Sequence, residues 1–231
     1  MKIRVLTLFP DMFAPLKASV IGRAAAAGLL DIGIVDIRAF SGSKHKKCDD
    51  YPFGGGAGMV MTPQPIYSAV TQTDPEHKAL RVYMSPKGKV LHHNAAVELS
   101  RVPELLILCG HYEGVDQRAL DMLFDIELSI GDYVLTGGEL PAMVLVDAVA
   151  RHIPGVLGEL STEEESFCGG LLEYPQYTRP ADFMGLKTPE VLLSGDHGEV
   201  AAYRKREAER LTRKNRPDLY RKYKKQTTND R

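Results

Sequence analysis

Residues 104–114 read Glu-Leu-Leu-Ile-Leu-Cys-Gly-His-Tyr-Glu-Gly. Glu104–Cys109 reads as a strand that ends in Gly110, and glycines 110 and 114 bracket His111, Tyr112 and Glu113. Outward from this stretch the chain alternates. Residues 3–9 are a short apolar run ending at Pro10-Asp11, where a helical stretch begins. Residues 32–40 read as a strand after the turn at Gly28, and 80–84 as another, followed by a turn at Ser85-Pro86-Lys87-Gly88. Residues 125–130 form a further strand ending in Gly131. Helical segments fall at 63–70, 91–99, 116–123 and 138–152, the last broken by Pro154-Gly155. Strands alternating with helices imply parallel pairing and an α/β fold. In open parallel sheets ligands bind beyond the carboxyl ends of the strands. Here those ends carry Ser85-Pro86, residues 109–114 and Ile130-Gly131-Asp132-Tyr133.

The 231 residues are 44% hydrophobic and 26% charged, as in ordinary globular proteins. That apolar content excludes a disordered chain, and no Gly-X-Y period or internal repeat is present. The length fits one large domain or two small ones. Cys48, Cys109 and Cys168 are an odd number, far apart and without a C-x-x-C, which argues against a disulfide framework and a structural zinc site. The N-terminus is too short and mixed for a signal peptide. The longest apolar run, 140–150, contains Asp147 and falls well short of a membrane span. A soluble, cytoplasmic protein with no membrane association is expected.

Net charge is −1 but unevenly placed: residues 201–231 hold twelve Lys/Arg against four Asp/Glu, a balance of +8, which leaves −9 on residues 1–200. Such basic tails meet polyanions or form a solvated helical face. Between them, residues 155–180 hold five glutamates, one arginine, four glycines and two prolines, and read as a linker. Helical segments follow at 199–215 and 219–225.

Several constellations could carry chemistry. Residues 54–58, Gly-Gly-Gly-Ala-Gly, are neither a P-loop nor a G-x-G-x-x-G. They fit close backbone approach to a ligand or a flexible surface loop. The strand end at 108–114 and the stretch Ser-Ile-Gly-Asp-Tyr-Val-Leu-Thr-Gly-Gly-Glu-Leu-Pro at 129–141 suit a shared small-molecule pocket. Asp147 and Arg151 are four apart on the helix face that bears Leu140 and Val144. They read either as a surface ion pair or as an arginine held for a guanine edge or a developing oxyanion. Glu163, Glu164 and Glu165 read as a solvated loop or as the source of a general base, which works best when burial raises its pKa.

The ordered stretches LFPDMF, GGGAGM, LCGHYEGVDQR, SIGDYVLTGGELPAM, IPGVLG, EESF, LLEYPQYTRP and VLLSGDH run from residue 1 to about 198. Together they resemble the bacterial tRNA (guanine-N(1))-methyltransferases that modify guanine 37, next to the anticodon. The resemblance implies a SPOUT-type parallel sheet with a deep trefoil knot and a small helical C-terminal domain. It divides the chain into a cofactor-binding domain at 1–158, an interdomain linker or lid at 159–173 and a basic tRNA-binding domain at 174–231. It implies a homodimer with S-adenosylmethionine as methyl donor, and the family is described as magnesium-dependent. Carried over residue by residue, the cofactor site falls on Tyr83, Met84, Ser85 and Pro86; on Gly110, Tyr112 and Glu113; and on Ile130, Gly131, Tyr133, Leu135, Gly137, Gly138 and Pro141. The family's catalytic carboxylate falls on Glu165, where the best-known members have Asp, and its helix arginine on Arg151. Asp50 matches a substrate-binding position, and Glu173 also stands where Asp is common. Lys205, Arg206, Arg210, Arg213 and Lys214 would meet tRNA phosphates, with help from Lys44, Lys46 and Lys47. The alternatives are a SPOUT protein with another RNA target, one that binds RNA without catalysis, and a Rossmann-type methyltransferase, the last disfavoured because no G-x-G-x-G-like loop follows the first strand.

Overall fold

The computed structural model describes residues 1–158 and 165–229. The chain forms two compact units, Met1–Gly158 and Glu159–Arg231.

In the first unit the order is β1 (Lys2–Thr7), α1 (Ser19–Ala26), β2 (Asp31–Asp36), β3 (Asp49–Asp50), β4 (Val60–Met61), α2 (Pro63–Thr73), β5 (Leu80–Val90), α3 (His93–Leu99), β6 (Glu104–Cys109), α4 (Gln117–Leu123), β7 (Ile126–Ser129) and α5 (Glu139–Ala150). Five strands pair in the order β2-β1-β6-β5-β7, every pairing parallel. The two-residue β3 and β4 pair antiparallel beside it.

Successive side chains of a strand point to opposite faces, so a central strand covered on both sides must be apolar throughout. β6 meets that demand. Leu105, Ile107 and Cys109 face a core shared with α1 and α5, whereas Leu106 and Leu108 face one shared with α2 and α4. β5 divides the same way, with Val82 and Met84 on the first side and Tyr83 on the second. Each fully buried aliphatic side chain stabilises the fold by about 1.5–3 kcal/mol.

Residues 85–88 do not form a free turn. β5 continues to Val90, but Met84 and Lys89 both stand opposite Leu128, so the four residues between them leave the ladder. Pro86 has no amide to donate, and such a break in register accommodates it. A side chain at Gly88 would strike the Glu127 and Leu128 backbone at 2.5 Å. β2 is also shorter than the apolar run 32–40: the Asp36 side chain accepts from the Arg38 amide and turns Ile37–Phe40 into a 3-10 helix. Cys48 and Cys109 are buried and Cys168 exposed; all three are free thiols.

The second unit holds a small hairpin, β8 (Asp182–Phe183) and β9 (Leu186–Lys187), then α6 (His197–Asn215) and α7 (Pro217–Asn229). The hairpin escapes the sequence reading because each strand is two residues long. Its turn puts Met184 and Gly185 at φ 53° and 86°, the left-handed pair that favours tight hairpins. α6 starts two residues before the expected boundary because the Asp196 side chain caps the Gly198 and Glu199 amides. Residues 165–180 contain no helix or strand. They are nevertheless tied to α6, where the Leu172 amide donates to Thr212 Oγ1 at 2.8 Å, and to themselves, where the Glu173 amide donates to Ser166 Oγ at 3.0 Å.

Candidate active site

The carboxyl ends of β5, β6 and β7 and the loops that follow them enclose a cavity of about 390 Å³. Parallel pairing brings these three ends to one edge of the sheet. Of the fourteen residues named above for the cofactor, thirteen line this cavity. The exception is Gly131, at φ +146°, which fits under Tyr133: a side chain there would meet the tyrosine ring at 2.6 Å.

Glycine at 110 and 138 is a matter of space. A Cβ on Gly110 would lie 2.8 Å from the Tyr83 hydroxyl, and one on Gly138 would lie 2.8 Å from Cys109 Cα and from the Gly110 nitrogen. The Gly138 amide donates to the Gly110 carbonyl at 2.8 Å and so closes the loop before α5 onto the end of β6. The β6 loop is held from its other side as well. The Glu113 amide donates to the Met59 carbonyl, and the Met61 amide to the Gly114 carbonyl, both at 2.9 Å. Tyr112 sits in the left-handed region at φ +59°. That conformation is costly for a side chain, and neighbours must hold it.

Two residues at and behind the pocket were not picked out by the resemblance. The His111 ring packs 4.9 Å from Phe9 and 5.0 Å from Tyr112, and its Nδ1 is buried without a hydrogen-bond partner. Glu139, at the first turn of α5, is 2% exposed and accepts from Thr7 Oγ1 at 2.8 Å. A buried carboxylate is expensive unless hydrogen-bonded, and the positive end of a helix dipole also favours it. The pair therefore fastens the end of β1 to the start of α5, directly behind Gly137 and Gly138. Both His111 and Glu139 lie inside stretches already singled out, but burial is not written in either. Burial pushes the Tyr83 phenol up to about 12, helped by Glu127, so it stays neutral.

Outside the cavity, α5 is apolar around most of its circumference, yet Leu140 and Val144 are about half exposed. They line an open groove of about 750 Å³ between α5 and residues 15–21, with Asp147 and Arg151 along the same groove. Asp50, in the two-residue β3, lies within the mostly exposed segment 41–59, which also displays Tyr51 and Phe53. The Tyr51 amide, and then Lys47 at 3.4 Å, hold the Asp50 carboxyl below the usual range. Among the described residues, no group of three or more His, Cys, Asp or Glu side chains is arranged to hold a metal.

Arg151 stands at the C-terminal end of α5 in the first unit, and the half-buried Glu165 opens the described part of the second. Glu163 and Glu164 lie outside the described residues. On α6, Lys205, Arg206, Arg210, Arg213 and Lys214 are exposed, and Arg210 is paired with Glu207 at 2.7 Å.

The profile of the family described as tRNA (guanine-1)-methyltransferase TrmD matches residues 1–222. The chain is 52% identical to the tRNA (guanine-N(1)-)-methyltransferase of Clostridioides difficile, over 96% of this chain and 98% of that protein. It is 55% identical to the protein of the same name from Ruminiclostridium cellulolyticum, over 96% and 97% of the two chains. With that from Alkaliphilus metalliredigens it shares 55% identity over 95% and 91%.

Proposed function

The chain belongs to the tRNA (guanine-1)-methyltransferase family and is an enzyme of that type, and from this premise we propose that it methylates N(1) of guanine 37, next to the anticodon. S-adenosylmethionine is the donor in this reading. The observation that carries it is the glycine-walled cavity at the three strand ends, where the close approach at Gly110 and Gly138 leaves backbone groups to face a ligand. The thirteen lining residues carried over from the family would hold the donor there. When bound, the donor supplies an electrophilic methyl on a sulfonium, which departs as a neutral thioether.

The chain's own residues must make the guanine a nucleophile. N(1) of neutral guanine carries a proton and has no lone pair to offer. The Glu165 carboxylate takes that proton. The Arg151 guanidinium holds the negative charge that then moves toward O(6). The N(1) lone pair forms the new bond to carbon as the sulfur–carbon bond breaks. The His111, Tyr112 and Tyr133 rings exclude water and fix orientation.

The same reading includes a SPOUT fold with a trefoil knot at the three strand ends, and a homodimer. The dimer is supported by the uncovered apolar face of α5, because large exposed apolar patches mark interfaces. Asp50 and the α6 cations Lys205, Arg206 and Arg210 are proposed tRNA contacts, the lysine and arginines through phosphate. No helix among the described residues is long and apolar enough to cross a membrane, and the proposed place of action is the cytoplasm.

The test uses two unmodified tRNA transcripts, one with guanine and one with adenine at position 37, incubated with protein and S-adenosylmethionine. Nucleoside mass spectrometry should find N(1)-methylguanosine from the first transcript alone. Methylation of both transcripts would move the target away from position 37, and a different methylated nucleoside would overturn the reaction.

A further inference from the structure

Two of the ordered stretches, 171–180 and 191–197, have no part in the methyl transfer described above, yet they meet at one cavity of the second unit. It measures about 290 Å³, at the small end of ligand sites. Tyr174, Gln176, Tyr177 and Arg179 come from the first stretch, Leu193 from the second, and Arg204 from α6.

Its walls combine planar, polar side chains with an aliphatic side formed by Leu192, Leu193 and Val200. The Arg204 guanidinium lies over the Tyr174 ring, 4.7 Å from its centroid. Tyr177 is 47% exposed, so much of its side chain is open to solvent, and it lies close to Tyr203 of α6. The Gln176 amide nitrogen donates to Glu173 Oε1 at 2.5 Å. Because a carboxylate only accepts, this contact assigns the amide orientation and leaves the Gln176 oxygen as an acceptor at the rim. Arg179 is exposed beside it. The helix that supplies Arg204 also carries Lys205 and Arg206 at the next two positions, within the segment whose balance is +8. An exposed aromatic side chain, a hydrogen-bond acceptor and two lining arginines, with further cations along α6, suit an unpaired base on a polyanionic strand.

We propose that this cavity receives one unpaired nucleobase of the tRNA, stacked on Tyr177, with its exocyclic amino group donating to the Gln176 side-chain oxygen. The site's role is to add affinity rather than chemistry. Adenine, guanine and cytosine carry the amino group; uracil does not. The proposal rests on the reading of the chain as a tRNA-modifying enzyme.

The test pairs Tyr177→Ala and Gln176→Ala with transcripts in which each unpaired nucleotide in turn is abasic. Tyr177→Ala should weaken tRNA binding about tenfold, the loss of one base stack. Gln176→Ala, a change at an exposed side chain, should weaken it about threefold. Neither should shift S-adenosylmethionine affinity. At one position the abasic transcript should lose about as much with the wild-type protein as Tyr177→Ala loses with the intact transcript, and combining the two should add nothing. If the losses multiply at every position, or both variants bind tRNA within twofold of wild type, the proposal fails. Failure with methylation intact discards the base site alone; absence of any tRNA methylation discards the reading beneath it.

Discussion

Replacing Gly138 by Ala isolates the contact that shapes the candidate cofactor site. Gly138 has φ −83°, a conformation open to any residue, so the substitution tests space and nothing else. The added methyl would lie 2.8 Å from Cys109 Cα and the Gly110 nitrogen and 3.1 Å from the Cys109 carbonyl carbon. All three are backbone atoms of buried β6 and its immediate continuation, so they cannot swing aside. Restoring ordinary contact at about 3.4 Å moves the loop outward by roughly 0.6 Å, which stretches the 2.8 Å bond from the Gly138 amide to the Gly110 carbonyl. Overpacking costs about 1–3 kcal/mol. Losing the hydrogen bond adds about 0.5–1.5 kcal/mol. The melting temperature should fall by roughly 3–18 °C at about 2–4 °C per kcal/mol for a chain of this size. S-adenosylmethionine binding should weaken about 10–100-fold, because the loop forms one wall of the cavity. Calorimetric titration measures the affinity and a thermal scan the stability. Gly42→Ala is the control, since its added methyl would meet nothing within 4 Å. If Gly138→Ala binds S-adenosylmethionine as wild type does and melts within a degree of it, the steric account of the glycine wall is wrong.

Three further outcomes follow from the same geometry. Glu165→Gln keeps the shape but cannot take a proton, so single-turnover methylation should fall by about 100-fold or more with S-adenosylmethionine affinity unchanged; a near-normal single-turnover rate removes Glu165 from the base role. Changing Leu140 and Val144 together to Lys places two charges on the apolar groove of α5 and should yield a monomer by light scattering, whereas a persistent dimer would move the interface elsewhere. Asp74→Asn breaks the buried pair in which Arg81 Nε donates to Asp74 at 2.8 Å, and should cost about 3–5 kcal/mol at pH 7. Burial opposes the Asp74 charge, but the Lys78 amide and Arg81 outweigh it and hold the carboxyl below its usual range. Its stabilisation is therefore complete above the ordinary aspartate value of about 3.9 and is lost as pH falls through the lower folded value. The gap between wild type and variant in denaturant melts should close only in that acid window; a gap that closes between pH 7 and 5 would point to another group.

What could be read from the chain follows from how local each cause is. The strand at 104 declares itself because Leu105–Cys109 are buried on both faces and must be apolar at every position, which needs no partner to be seen. The glycines at the strand ends are also local, and strand ends in a parallel sheet have one place to converge, so the cavity was legible once parallel pairing was. Two of the failures are matters of pairing. Residues 85–88 have the composition of a turn and leave the ladder as a turn would, but Leu128 of the neighbouring strand brings the chain back into the same strand. Glu139 reads as an ordinary acidic residue at a helix start. Its burial depends on Thr7, 132 residues earlier, and nothing near either residue announces the other. Leu140 and Val144 show the opposite case, apolar residues on a helix that sequence periodicity would place in a core and that this chain leaves half exposed. An element whose local pattern asks for more burial than its own unit supplies is the natural place for the proposed second copy of the chain to pack, and on α5 that place is the groove lined by Leu140 and Val144.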